Sequence, residues 1–211
     1  MSDNKLLSAN EIKIKFIDWL LDNFDNNEDV ILSNELLFSK NKRRADLVLL
    51  SKNQTISFEI KGDLDNVKNL RQQLKDYLIT FDEVNIVCTN KLFKRIYNLA
   101  PKRVGIILFD KKFETIRSAK INKKLSKISL IQFCKSNAIS KFLNKNQKYL
   151  STEEMRAIAA NKLTLKDVKN LSYQSLIKKI NPIYKIFLKD KGKFTIKEDL
   201  LNLVGEIKAI R

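Results

Sequence analysis

Arg44-Ala45-Asp46-Leu47-Val48-Leu49-Leu50-Ser51-Lys52-Asn53-Gln54-Thr55-Ile56-Ser57-Phe58-Glu59-Ile60-Lys61-Gly62 is the stretch on which the fold turns. Two apolar runs, 45–50 and 55–61, flank the polar turn Lys52-Asn53-Gln54, which is the pattern of a β-hairpin. Side chains alternate along a strand, so Ser57, Glu59 and Lys61 share one face, and Ile56, Phe58 and Ile60 belong against the core. A two-residue turn at Lys52-Asn53 sets Asp46 opposite Glu59. A three-residue turn sets it between Glu59 and Lys61. Either register brings two carboxylates and one ammonium within a side chain's reach. Two carboxylates and a nearby backbone carbonyl suit a hard divalent cation bound through oxygen. A bare ExK tripeptide on a surface hairpin is common by chance. Here it sits in an apolar strand, follows an aspartate at hairpin distance and precedes a helix.

Outward from the hairpin, the apolar periods alternate. Residues 9–24 read as an amphipathic helix through Ile12, Phe16, Trp19, Leu20 and Phe24, and Asn and Asp residues break it at 22–29. A strand at 30–38 and a basic turn, Lys40 to Arg44, lead into the hairpin. Helical spacing returns at 64–81 through Leu64, Val67, Leu70, Leu74, Tyr77, Leu78 and Phe81, with Asp63 or Asp65 placed to cap it. Strands at 84–89 and 104–109 enclose a helix at 91–98. The expected fold class is α/β, a mixed central sheet flanked by helices, over residues 1–117. Residues 118–211 form an all-helical C-terminal subdomain, with helical spacing at 126–143, 152–163, 165–177, 180–188 and 195–209.

The order helix, three strands, helix, strand, with Asp46 and the Glu59-Ile60-Lys61 run on the hairpin, resembles the PD-(D/E)XK superfamily of restriction-endonuclease-like nucleases. The match covers roughly 9–110, about half of the chain. Gln73 and Tyr77, four apart on one helical face, resemble the QxxxY pair of nucleases of the RecB and bacteriophage-exonuclease type. Arg44-Ala45-Asp46 with Glu59-Ile60-Lys61-Gly62-Asp63-Leu64-Asp65 is similar to a little-characterised family of small bacterial proteins with RAD and EIKxDxD signatures and a helical C-terminal half. The resemblance implies a Mg2+- or Mn2+-dependent nuclease, with Asp46, Glu59 and the Ile60 carbonyl holding metal and Lys61 serving the attacking water. Gln73, Tyr77 and Arg44 would position substrate, and Glu35, on the preceding strand, would be a further metal ligand. Tyr77 also suits a core aromatic with its hydroxyl at the rim, Glu35 an edge carboxylate facing water, and Arg43 and Arg44 a solvated turn. Glu11, at the start of the first helix, suits either the site or N-terminal capping. Ala45 stands where the motif's name has proline, a frequent departure.

The charge balance points to a polyanionic partner. The chain carries +17 overall, and residues 118–211 hold 21 basic and 7 acidic side chains. A dense positive field attracts phosphates and releases their counterions. Lysine-rich coding alone is the competing account. Lysine meets phosphate as a point charge, so binding to nucleic acid, DNA ahead of RNA, is expected with little sequence specificity. The absence of histidine excludes HNH, His-Me and phospholipase-D-like chemistry and histidine-ligated zinc. No apolar run approaches the ~20 residues of a membrane span, and Met-Ser-Asp-Asn-Lys does not open like a signal peptide. A cytoplasmic protein with Cys88 and Cys134 as free core thiols is expected. An RNase, including a tRNA-cleaving toxin, and a non-catalytic nucleic-acid binder with the same fold are the alternatives.

Overall fold

A computed structural model describes residues 6–23, 30–39, 43–143 and 149–204. Phe24, the rest of the polar break, the turn residues 40–42 and the end of the helix expected at 195–209 lie outside the described residues. The elements in order are α1 (Ala9–Asn23), β1 (Ile31–Phe38), β2 (Arg43–Ser51), β3 (Gln54–Lys61), α2 (Leu70–Leu78), β4 (Glu83–Thr89), α3 (Asn90–Leu99), β5 (Gly105–Phe109) and β6 (Phe113–Arg117). Helices follow: α4 (Lys127–Leu130), a single 3-10 turn, α5 (Ser136–Leu143), α6 (Thr152–Lys162), α7 (Leu165–Asp190) and α8 (Asp199–Asn202).

The strands form one six-stranded mixed sheet in chain order. β1, β2 and β3 are an antiparallel meander, β3, β4 and β5 run parallel, and β6 returns antiparallel on β5. The parallel steps need crossovers, and α2 and α3 supply them. Lys52 and Asn53 have φ of 47° and 61°, the left-handed pair of a two-residue hairpin turn. Ser51 therefore pairs with Gln54 and Leu47 with Phe58. The shorter of the two registers holds, and it carries Asp46 to the position across from Glu59.

Helices cover both faces of β3. Phe16 of α1 meets Phe58 edge-on at 5.0 Å, while Tyr77 of α2 reaches Glu59 on the other face. Ser57 and Glu59 are consequently as buried as Phe58 and Ile60. The main core runs from α1 through the sheet and takes in Tyr173, Leu176, Ile180, Tyr184 and Phe187 of α7. A smaller core gathers Leu130, Ile131, Cys134, Ile139, Met155, Ala159 and Val168 among the C-terminal helices. Both cysteines are free and buried, and burial pushes the Cys88 thiol up to about 12. Among the described residues no helix is long and apolar enough to cross a membrane.

The elements differ from the periodicity in four places. The helix expected from 64 begins at Leu70, with Asn69 before it and no side-chain cap. Asp63 instead accepts from the Leu7 amide (2.8 Å) and the Thr89 hydroxyl (2.7 Å), and Asp65 from the Gly62 amide (2.7 Å). Those bonds hold 62–65 in a turn, and Leu64 is left exposed. β6 was not expected. Its Glu114 and Arg117 interrupt apolar alternation, as an exposed edge strand allows. In the C-terminal half, the expected helix 126–143 is broken at Cys134-Lys135, whereas 165–177 and 180–188 join through Pro182 into one helix. Burial of Ile180, Tyr184 and Phe187 on the sheet core offsets the proline's lost hydrogen bond.

Gly62 is needed for space. A Cβ there would stand 2.5 Å from the Leu7 carbonyl oxygen and 2.6 Å from the Ala9 amide. Both are backbone atoms at the entry to α1, so Gly62→Ala must displace that helix start. The expected loss is roughly 1–3 kcal/mol, read as a lower urea midpoint. An unchanged midpoint would show that the entry yields freely.

Candidate functional site

The hairpin register and the burial of β3 together create an electrostatic problem. Glu59 is 4% exposed. Its Oε1 lies 2.7 Å from Lys61 Nζ, and its Oε2 accepts from the Tyr77 hydroxyl at 2.5 Å. That hydroxyl is also 3.2 Å from the Arg44 carbonyl. Asp46 Oδ2 accepts from the Ile60 amide at 2.7 Å, and its Oδ1 lies 3.9 Å from Lys13 Nζ. Lys13 donates to Glu35 Oε1 at 2.6 Å and to Asn34 Oδ1 at 3.0 Å. Five charged groups thus meet at the end of the hairpin, three acidic and two basic.

Their protonation follows from this crowding. Burial, and then the neighbouring Glu59 charge, push Asp46 from its ordinary 3.8 up to about 7, against the pull of Lys13 and the Ile60 amide. Burial opposes the Lys61 charge, but Glu59, Asp46 and Asp65 outweigh it and raise its pKa. Lys61 is therefore a permanent cation at neutral pH. Burial and Glu59 raise Tyr77 well above the usual phenol range, so it remains a hydrogen-bond donor.

Asp46, Glu59, Ile60, Lys61 and Tyr77 come together. Glu35 stands at the margin of the group, between the paired positions Asn34–Leu47 and Leu36–Ala45. Its φ of 53° is left-handed, a conformation uncommon for a glutamate and costly in a strand. The ion pair with Lys13 helps hold it. The Arg44 side chain is exposed. Gln73 is half-buried, and Arg43 pairs with Asp76 of α2. Glu11 forms a capping box with Ser8, accepting from the Ser8 amide (2.9 Å) and hydroxyl (2.8 Å), so the capping account explains it.

Lys13 is the residue that sequence reasoning missed. It is 2% exposed. At ~100° per residue it falls inside the arc that Ile12, Phe16, Leu20 and Ile17 define. A lysine within the buried stripe, rather than beside it, was the available signal, because a buried ammonium needs an acidic partner. Asn34 was missed as well. Its amide group bonds the Leu200 carbonyl at 2.9 Å, and its backbone N–H bonds Leu203 at 2.9 Å. The C-terminal segment thereby buttresses the strand that carries Glu35.

Among the described residues, no three Cys, His, Asp or Glu side chains stand grouped to hold a metal ion. The donor chemistry that is present is two carboxylates, Asp46 and Glu59, with the Ile60 carbonyl on the strand between Glu59 and Lys61. Burial and the Glu59 charge raise Asp46, and all the donors are hard oxygens. Oxygens are the donor type that a cation of the Mg2+ or Mn2+ kind takes, though both Glu59 oxygens are already engaged by Lys61 and Tyr77.

The raised Asp46 gives a signed pH dependence. Between its ordinary 3.8 and about 7, the folded protein keeps a proton that the unfolded chain releases. The stability due to this group is therefore full below about pH 4 and is lost as pH rises to about 7. Asp46→Asn removes the titration and keeps an acceptor for the Ile60 amide. In chelator, the variant should match its parent near pH 4 and exceed it by roughly 1–3 kcal/mol at pH 8, measured by urea unfolding. A constant difference across that range would contradict the assignment.

Comparison with known proteins matches residues 2–205 to the family described as Bacteriophage P4 protein cII. Protein cII of Enterobacteria phage P4 is 28% identical over 180 residues, which span 82% of this chain and 67% of that protein. No solved structure matches. With the family's pattern running through the sheet, the carboxylate cluster and the C-terminal helices alike, this chain belongs to the Bacteriophage P4 protein cII family.

Proposed function

We propose that the protein is a metal-dependent nuclease with a restriction-endonuclease-like core, acting on DNA ahead of RNA. The observation that carries this reading is the convergence of Asp46, Glu59 and Lys61 at the end of one hairpin, with Lys61 2.7 Å from Glu59. The order α1, three-strand meander, α2, β4 supports the same core. Asp46, Glu59 and the Ile60 carbonyl would hold Mg2+ or Mn2+, with Glu35 close by. Bound there, the metal would act as a Lewis acid on a phosphoryl oxygen and lower the pKa of water. Lys61, cationic at neutral pH, would face the negative charge that develops on the phosphate. The Tyr77 hydroxyl orients Glu59. Arg44 and Gln73, at or near the surface beside it, would meet the substrate backbone.

A non-catalytic nucleic-acid binder is the second reading, and one observation favours it. Both Glu59 oxygens are taken by Lys61 and Tyr77, and Lys13 lies beside Asp46, so the chain's own cations already balance much of the acid pair. Cleavage of single-stranded DNA, duplex DNA and RNA in Mg2+, Mn2+ and chelator separates the two. For the nuclease, Asp46→Asn and Lys61→Ala should each lower the rate about a hundredfold or more, and chelator should stop it. Asp46→Asn should leave DNA binding intact or slightly stronger, since it removes a charge that repels phosphate. No cleavage under any condition, with binding retained, would establish the binder. Cleavage that persists in chelator would exclude the metal mechanism.

A further inference from the structure

We infer that Lys13 is a built-in cation of the acid cluster. It closes the Glu35 end, so that the cluster takes a single divalent ion on the Asp46–Glu59 side, and Glu35 serves as the partner of Lys13 and not as a ligand. This inference rests on the metal reading proposed for the cluster. An ammonium has three donors and no acceptor. Three oxygens surround that of Lys13: Glu35 Oε1 at 2.6 Å, Asn34 Oδ1 at 3.0 Å and Asp46 Oδ1 at 3.9 Å. The other Asp46 oxygen accepts from the Ile60 amide at 2.7 Å. Lys13 is thus the neighbour that Glu35 and Asp46 share. An ion bridging those two carboxylates would meet it at close range, where like charges repel most.

Lys13 is fixed from behind. The Asn34 side-chain amide donates to the Leu200 carbonyl at 2.9 Å, which turns its oxygen toward α1, and the Asn34 backbone N–H is bonded to the Leu203 carbonyl at 2.9 Å. Both Lys13 and Asn34 are buried, so withdrawing the ammonium would strand the Asn34 oxygen without a donor. The Glu59 end is different. One of its oxygens accepts from a neutral group, the Tyr77 hydroxyl at 2.5 Å. A carboxylate oxygen has about two lone pairs, so this one can accept from Tyr77 and still face a cation. Formal charge gives the same count of ions. Glu35 is paired with Lys13 at 2.6 Å and Glu59 with Lys61 at 2.7 Å, and Asp46 is left without a cation as close. One unbalanced carboxylate favours one divalent ion over two.

The test is binding of Mn2+ to the full chain without substrate, followed by electron paramagnetic resonance and calorimetry in neutral buffer. Ions that Asp46→Asn still binds are subtracted as lying elsewhere. The parent should take one ion per chain. Lys13→Met removes the internal cation and frees Glu35, and should tighten binding about tenfold or more. Lys13→Met combined with Glu35→Gln keeps the parent's formal charge, and should bring the affinity back to within about threefold of the parent's. Should Lys13→Met not fold, Lys13→Gln, which keeps a donor for Glu35 and Asn34, gives the same readout. Unchanged affinity in the neutral variants would make Lys13 a structural ion pair only and overturn the inference. Two ions per parent chain would also overturn it. So would a double variant that binds about tenfold more weakly than the parent, because Glu35 would then be a ligand. Each of these three outcomes leaves the metal-dependent nuclease standing. A parent that binds no ion at the cluster would overturn the inference and the metal reading together.

Discussion

A buried carboxylate, Glu59, beside a partly buried one, Asp46, keeps its charge only where cations and donors surround the pair, and the end of the hairpin is organised around that requirement. The left-handed Lys52-Asn53 turn sets Asp46 across from Glu59. Helices on both faces of β3 then bury Glu59, while Asp46 stays partly exposed. Each covering element returns something: α1 supplies Lys13, β3 itself supplies Lys61 and the Ile60 amide, and α2 supplies the Tyr77 hydroxyl. The compensation is incomplete. Asp46 remains raised to about 7, by burial first and then by the Glu59 charge. Replacing such a network by apolar residues would often stabilise a protein.

The C-terminal helices join this centre by packing and hydrogen bonds. α7 buries Tyr173, Leu176, Ile180, Tyr184 and Phe187 in the sheet's core, and Thr195 is bonded through both its amide and its hydroxyl to Asp18 of α1. Beyond α8, Leu203 bonds the backbone of Asn34, one residue from Glu35. A chain that returns to the edge of β1 at that point blocks further strand pairing there. It also steadies the left-handed residue beside the carboxylates. The region carrying most of the net charge is thus mechanically continuous with the acid cluster, and family membership over residues 2–205 spans both.

The sequence by itself determined what local rules decide. Period-two alternation at 45–61, helical spacing at 9–24 and the strand cores at 84–89 and 104–109 follow from side-chain geometry along one element, and the mixed sheet with its helical sequel was legible from them. So were Asp46, Glu59 and Lys61 as a group, because a hairpin brings together residues that are near in sequence. Tertiary structure decided what depends on distant partners. The choice between two hairpin registers rested on backbone dihedrals at Lys52 and Asn53. The late start of α2 rested on Asp63 reaching Leu7 and Thr89, contacts that spacing cannot encode. Continuity of α7 through Pro182 rested on a core that the helix meets only after folding. Lys13 shows the division most clearly: its place in the apolar arc was written in the sequence, but its partners, Asn34, Glu35 and Asp46, lie more than 20 residues away, and only the packed sheet brings them to it.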